Sequence, residues 1–144
     1  MSITAYLCVH DGAAAIDFYR RAFGAEETGP RFTDPEGRIG HAEISIDGTR
    51  LFLSDEYPDF NALSPKTLGG AAVALHLEVP DADAAAARLV EAGATTERVV
   101  AEQADGERRG VFVDPFGYRW MIGQKVEDVT KEELRSRVSG FEVT

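Results

Sequence analysis

The sequence predicts an α+β fold of two similar modules in tandem, and three repeats within it carry that prediction. Residues 6–25, YLCVHDGAAAIDFYRRAFGA, are echoed by residues 75–94, LHLEVPDADAAAARLVEAGA. Val9 and Asp11 stand 70 positions before Val79 and Asp81, and Gly24-Ala25 stand 69 before Gly93-Ala94. Each half then closes on a glycine turn and a strand, GTRLFL from Gly48 and GYRWMI from Gly117, again 69 apart. Paired modules commonly build a concave site between them.

Each half reads strand, helix, then a run of strands. Ile3–Val9 is rich in apolar, aromatic and β-branched residues, as a strand requires. Asp11 is placed to cap the following helix, in which Ile16, Tyr19 and Phe23 recur at helical spacing until Gly24 stops it. Ala74–Val79 and Asp81–Ala92 repeat the scheme, with Leu89 on the apolar face and Gly93 at the end. Further strands are expected at Gly40–Ile46 and Arg50–Ser54 in the first half. In the second half they are expected near Thr96–Val100, Gly110–Val113 and Tyr118–Ile122. The modules thus cover about residues 3–54 and 72–123, all within one domain spanning 1–144. The linker, residues 55–71, contains two prolines and the pair Gly69-Gly70 near its end. In the tail, residues 124–144, Thr130-Lys-Glu-Glu133 forms a capping box that predicts a short helix through about Arg137.

Composition narrows the function. The 144 residues carry 25 acidic and 15 basic side chains, a net charge of −10. Nucleic acid is a poor partner for such a chain, because phosphate binding needs a basic face. No apolar run approaches the roughly 18 residues of a membrane span, and the start MSITAYLCVHD lacks a basic leader, so a cytoplasmic protein is expected. Cys8 is the single cysteine, which rules out an intrachain disulfide. No nucleophile-elbow, P-loop or dinucleotide glycine pattern is present.

Two βαβββ modules, a V-x-D start to each helix, the phrase FYxxxFGA from Phe18 and the phrase DPFGYRW from Asp114 together resemble the vicinal oxygen chelate superfamily. This group contains glyoxalase, bleomycin-resistance proteins, fosfomycin-resistance enzymes and extradiol dioxygenases. The phrases HAEISI from His41 and ALSPKTLGG from Ala62 are similar to its glyoxalase/bleomycin-resistance-like subgroup. The resemblance covers about residues 3–123. It implies curved mixed sheets around a ligand cavity, completed by dimerisation. It also implies metal ligands five residues before each V-x-D valine and four after each turn glycine. Those positions hold Thr4 and Ala74, and Phe52 and Met121. Alanine and phenylalanine cannot coordinate a divalent metal, a thioether suits soft ions, and a lone threonine is a poor ligand. Both modules fail by the same counting, so no metal cofactor is expected at the usual place.

Strand alternation sorts the remaining side chains. With Thr4 turned inward, Tyr6 and Cys8 follow; with Ala74 turned inward, His76 and Glu78 follow. Arg50, Phe52 and Ser54 share a face, as do Arg119 and Met121. Ala42, Ile44 and Ile46 meet the helices, which turns His41, Glu43 and Ser45 to the concave side. The ligand-binding candidates are therefore Tyr6, His41, Glu43, Phe52, His76, Glu78, Arg119 and Met121, a mixed apolar and polar wall of the kind small-molecule sites use. Trp120, on the face of Ile122, is expected in the core. Asp114-Pro-Phe-Gly117 reads as a hairpin turn.

The expected function is binding of a small organic molecule by a homodimer without the usual metal, with sequestration of a drug or metabolite as one form of it. A cationic drug in an acidic groove lined by Glu43 and Glu78 is a specific version. The alternative is a lyase, isomerase or dioxygenase using a divalent metal relocated to His41, Glu43 and His76. The same trio also suits metal-free acid–base chemistry.

Overall fold

The computed structural model describes residues 1–144. Its first module contains β1 (Tyr6–Val9), α1 (Gly12–Phe23), β2 (Glu26–Thr33), β3 (Ile39–Ile46) and β4 (Thr49–Asp55). A 3-10 turn at Pro58–Phe60 and the single-turn α2 (Pro65–Leu68) occupy the linker. The second module contains β5 (Ala74–Glu78), α3 (Ala82–Ala92), β6 (Thr95–Glu102), β7 (Glu107–Val113) and β8 (Arg119–Lys125), and α4 (Lys131–Arg137) follows in the tail.

The repeat is reproduced in three dimensions. The sheets run β1-β4-β3-β2 and β5-β8-β7-β6, so both place the first strand at an edge beside the last. β1 lies parallel to β4 and β5 parallel to β8, while the other neighbours are antiparallel. Helix initiation is also duplicated. Asp11 accepts from the Ala14 amide and Asp81 from the Ala84 amide, each at 3.0 Å. Such a carboxylate satisfies one of the orphan donors of a first helical turn.

Several element boundaries differ from expectation. β1 starts at Tyr6 rather than Ile3: its ladder with β4 begins at Tyr6↔Phe52, and Ile3 is exposed. β4 runs to Asp55 and β8 to Lys125, each past the predicted end. β2 is an additional edge strand, EETGPRFT. Its pairing with β3 shifts register between Thr28 and Phe32, around Gly29, whose φ of 71° belongs to the left-handed region. Glycine, proline and scattered polar residues erase the alternation by which an edge strand is read.

One core joins the modules. α1 packs on β1, β3 and β4, α3 packs on β6, β7 and β8, and the two helices pack on each other. Phe18, Tyr19, Leu53, Leu89, Phe112, Phe116, Trp120 and Ile122 are buried there. Burial of each such side chain contributes about 1.5–3 kcal/mol. Rings interlock across the seam, with Phe23 and Trp120 centroids 4.5 Å apart and Tyr19 and Trp120 centroids 5.7 Å apart. Because both helices lie on the core side, the opposite face of each sheet turns outward.

Candidate functional site

Alternation decides which side chains reach those outer, concave faces. Leu7, Val9, Ala42, Ile44, Ile46, Leu51 and Leu53 are buried toward the helices. Tyr6, His41, Glu43, Arg50 and Phe52, one position out of phase, stand on the other face. There Tyr6, His41, Phe52 and Phe32 form a cluster of four rings. Centroid separations are 5.0 Å for His41–Phe52, 5.5 Å for Tyr6–His41, 5.6 Å for Tyr6–Phe52 and 6.2 Å for Phe32–His41. The Tyr6 hydroxyl and His41 Nδ1 share a 2.7 Å hydrogen bond. Tyr6 and Phe32 remain 51% and 59% exposed, so the cluster is a surface and not a core.

The second module presents a different chemistry from equivalent positions. Tyr6↔Phe52 corresponds to His76↔Met121, and Ala42↔Leu53 to Gly110↔Ile122, which makes Arg109 the counterpart of His41. His76 Nε2 lies 2.8 Å from Glu107 Oε1, and Arg109 Nη1 donates to Glu107 Oε1 at 2.9 Å and to Asp105 Oδ2 at 3.1 Å. Burial disfavours the Glu107 carboxylate, but hydrogen bonds from His76 and Arg109 outweigh it and hold its pKa below the ordinary glutamate value. The carboxylate lies over Gly123, where a Cβ would collide with Oε1. Glu107, Arg109 and Gly123 are not among the residues that strand alternation selects. β7 was expected to start only at Gly110, and no local signal marks an acid that pairs across from β5.

Charge on these faces is largely neutralised. Glu43 lies 3.7 Å from Arg50 and accepts from the Thr28 hydroxyl at 3.3 Å. Arg119 holds Glu97 with two guanidinium nitrogens, at 2.7 and 3.0 Å. Met121 is half-buried and pairs in the ladder with His76 on one side and Val111 on the other. Glu78 is exposed near the end of β5 and borders a cleft at the seam with Asp47 and Leu77, apart from Glu43. The two glutamates thus do not make a single acidic groove within the chain.

The donor atoms that could hold a divalent metal are dispersed over these faces. Of the four family positions, Phe52 stacks in the ring cluster, Met121 pairs with His76 in the ladder, and Ala74 and Thr4 offer no strong donor. His41, Glu43 and His76 are engaged separately, by Tyr6, by Arg50 and Thr28, and by Glu107. No three His, Cys, Asp or Glu side chains are gathered in a metal-binding group. His41 and Glu43 lie on the first sheet and His76 on the second, so the trio named from the sequence is not gathered within one chain.

The linker builds a wall at the open end of the first concave face. A cleft of about 630 Å³ lies between Tyr6, Cys8 and Ser54 on the sheet, Tyr57, Phe60 and Leu63 in the linker, and Tyr118. Its tyrosines are fixed. The Tyr57 hydroxyl donates to Asp34 at 2.9 Å under the Arg38 guanidinium, 4.4 Å from the ring centroid. The Tyr118 hydroxyl donates to the Cys8 carbonyl at 2.8 Å and accepts from the Cys8 amide at 3.0 Å, replacing a strand partner at the free edge of β1. Burial raises the pKa of Cys8 and of Tyr6, Tyr57 and Tyr118, so thiolate and phenolate forms are disfavoured. The cleft offers ring faces, a few hydrogen-bonding groups and no activated nucleophile.

Comparison with known proteins agrees with this architecture. The profile of the Glyoxalase/Bleomycin resistance protein/Dioxygenase superfamily matches residues 2–122. The uncharacterised protein Mb0911c of Mycobacterium bovis is 40% identical over 141 residues, covering 96% of this chain and 92% of its own length. The uncharacterised protein At5g48480 of Arabidopsis thaliana is 31% identical over 126 residues, covering 82% of this chain and 74% of its own. The X-ray structure of that Arabidopsis gene product superposes with a TM-score of 0.67 at 30% identity, covering 85% of this chain and 97% of that one. No helix is long and apolar enough to cross a membrane.

Proposed function

The chain belongs to the Glyoxalase/Bleomycin resistance protein/Dioxygenase superfamily, and from that premise we propose that it binds a small, flat organic molecule without the family's metal, in a cavity closed by a second copy. The observation that carries this reading is the four-ring surface of Tyr6, Phe32, His41 and Phe52, opening beside a cleft of about 630 Å³. Cavities of ordinary ligands span about 300–1,000 Å³ and combine apolar walls with a few polar groups. Aromatic faces reward an offset or edge-on aromatic guest by about 0.5–1.5 kcal/mol per pair beyond area burial.

The role of a second copy is supported by the orientation of the sheets. Core-side helices turn both concave faces outward, and no hydrogen bond or ring contact joins the ring surface to the His76–Glu107–Arg109 network within the chain. A homodimer that sets the first module of one copy against the second module of the other buries both. The ligand then lies between an aromatic wall and a wall of paired charges, which favours a neutral or weakly charged guest over a bulky cation. Sequestration is the activity that follows, since the donor sets at Thr4, Phe52, Ala74 and Met121 do not suit a divalent ion.

Thermal-shift measurements against a panel of planar bicyclic aromatics test this function. Stabilisation by a subset, lost in Phe52→Ala, is the expected result. No stabilisation, or stabilisation that survives Phe52→Ala, would refute it.

A further inference from the structure

The tail lies beyond the residues that the family profile matches, 2–122, and it is folded against one particular turn. After β8 the chain does not leave the domain. The Val126 and Glu127 amides both donate to the Gly106 carbonyl, at 2.9 and 3.1 Å, so the tail starts by hydrogen bonding to the tip of the β6–β7 hairpin. From the end of α4, Arg137 reaches back to the Glu127 carboxylate and donates to the Ala104 carbonyl at 3.4 Å. Thr130 caps α4 by accepting from the Glu133 amide at 3.2 Å. The fit at Gly106 is close: its φ is 86°, and a Cβ there would strike the Glu127 carbonyl and the Val129 side chain.

The clasped turn carries the acids of the second concave wall. Asp105 stands between the two residues the tail holds, Ala104 and Gly106, and accepts from the Glu107 amide at 3.1 Å. Asp105 also takes Arg109, and Glu107 takes both Arg109 and His76. A continuous chain of contacts therefore runs from Arg137 and Glu127, through the backbone of residues 104–107, to the imidazole of His76. The ring surface of the first module has no comparable connection to the tail.

We propose that the C-terminal tail is a clamp that sets the geometry of the second module's concave wall, with Arg137 and Glu127 as positioning residues for Glu107 and, through it, His76. A hairpin turn held only at its base samples many conformations, and a strap across its tip removes them. The clamp leaves Glu107 over Gly123, where it meets the imidazole. The consequence for ligand binding rests on the function proposed above; the clamp itself does not.

Histidine-detected NMR of the full chain tests this without any ligand, because His10 and His41 serve as internal references for His76. Two variants release the strap from opposite ends: Arg137→Gln removes its ion pair, and Gly106→Ala obstructs its seat. Both are expected to speed amide exchange in residues 104–107 and 126–137 by about tenfold, the value of roughly one hydrogen bond. Both should also move the His76 ring resonances while those of His10 and His41 stay in place. A His76 spectrum unmoved while the tail exchanges faster overturns the proposal, as does a concerted shift of all three histidines, which would mean general loosening. Unchanged exchange in both variants also overturns it, since the contacts named would then hold nothing. Failure of the aromatic panel, by contrast, would remove the ligand and leave these outcomes as they are.

Discussion

The Tyr19 hydroxyl donates to Asp114 Oδ2 at 2.5 Å, joining the helix of one module to the β7–β8 turn of the other inside the core. The same oxygen accepts from Trp120 Nε1 at 2.9 Å, and Oδ1 accepts from the Phe116 and Tyr118 amides at 2.9 and 3.0 Å. Asp114 is 4% exposed. Burial raises its pKa, and the four donors oppose that rise. This carboxylate is the polar fastening of an otherwise apolar seam.

Asp114→Ala should therefore be among the most damaging single substitutions, costing about 3–5 kcal/mol by leaving buried donors unpartnered. Tyr19→Phe removes one donor and keeps the ring packing, so about 1–3 kcal/mol is expected. Urea unfolding followed by Trp120 fluorescence measures both. Equal costs for the two variants would contradict this account of the seam.

The His76–Glu107 contact should be visible in acid. A carboxylate whose pKa is lowered in the folded state stabilises the fold above its unfolded value, and that contribution fades as pH falls through the folded value. For Glu107 the loss belongs at and below the ordinary glutamate value of 4.5. Asp114, raised by burial, contributes in the opposite sense. Glu107→Gln should accordingly flatten the acid limb of a stability–pH profile without moving the Asp114 contribution. An acid limb identical to that of the wild type would contradict the assignment.

Gly123 is predicted to be intolerant of the smallest side chain because Glu107 occupies its space. Gly123→Ala should cost about 1–3 kcal/mol by overpacking. The same change in a Glu107→Ala background should cost much less, giving a coupling energy that a double-mutant cycle reads directly. Additive costs would place the strain elsewhere.

Much of this was legible in the chain and some was not. Both helix starts followed from Asp11 and Asp81, and both stops from Gly24 and Gly93, because caps are local chemistry. Trp120 and Ile122 lie in the core as strand alternation required, and α4 begins after Thr130. β2 is not legible in the chain, because Gly29, Pro30 and an exposed edge leave no period to detect. The pairing of His76 with Glu107 was hidden for another reason. It joins residues 31 apart on strands that are not neighbours in the sheet, and register rather than pattern decides it. Net charge is equally blind to ion pairing: Glu43, placed in an acidic groove by sequence, has Arg50 of the neighbouring strand 3.7 Å away.

Paired charges on both concave faces predict that ligand affinity depends little on salt. Between low salt and about 0.5 M, where screening is nearly complete over a few ångströms, the dissociation constant for a neutral planar aromatic should stay within about threefold. A steep loss of affinity would favour a cationic guest at Glu78 and Glu43 instead.

Complementation decides whether each cavity is shared between two copies. A Phe52→Ala chain damages the ring surface, and a His76→Ala chain damages the opposite wall. Each homodimer alone should fail to bind the planar aromatic that best stabilises the wild type. After unfolding and refolding the two together, about half of the dimers are mixed, and each mixed dimer regains one undamaged cavity out of two. Recovery of about a quarter of wild-type sites is then expected by titration calorimetry. No recovery, with mixed dimers demonstrated by mass spectrometry, would show that the cavity is built within a single chain.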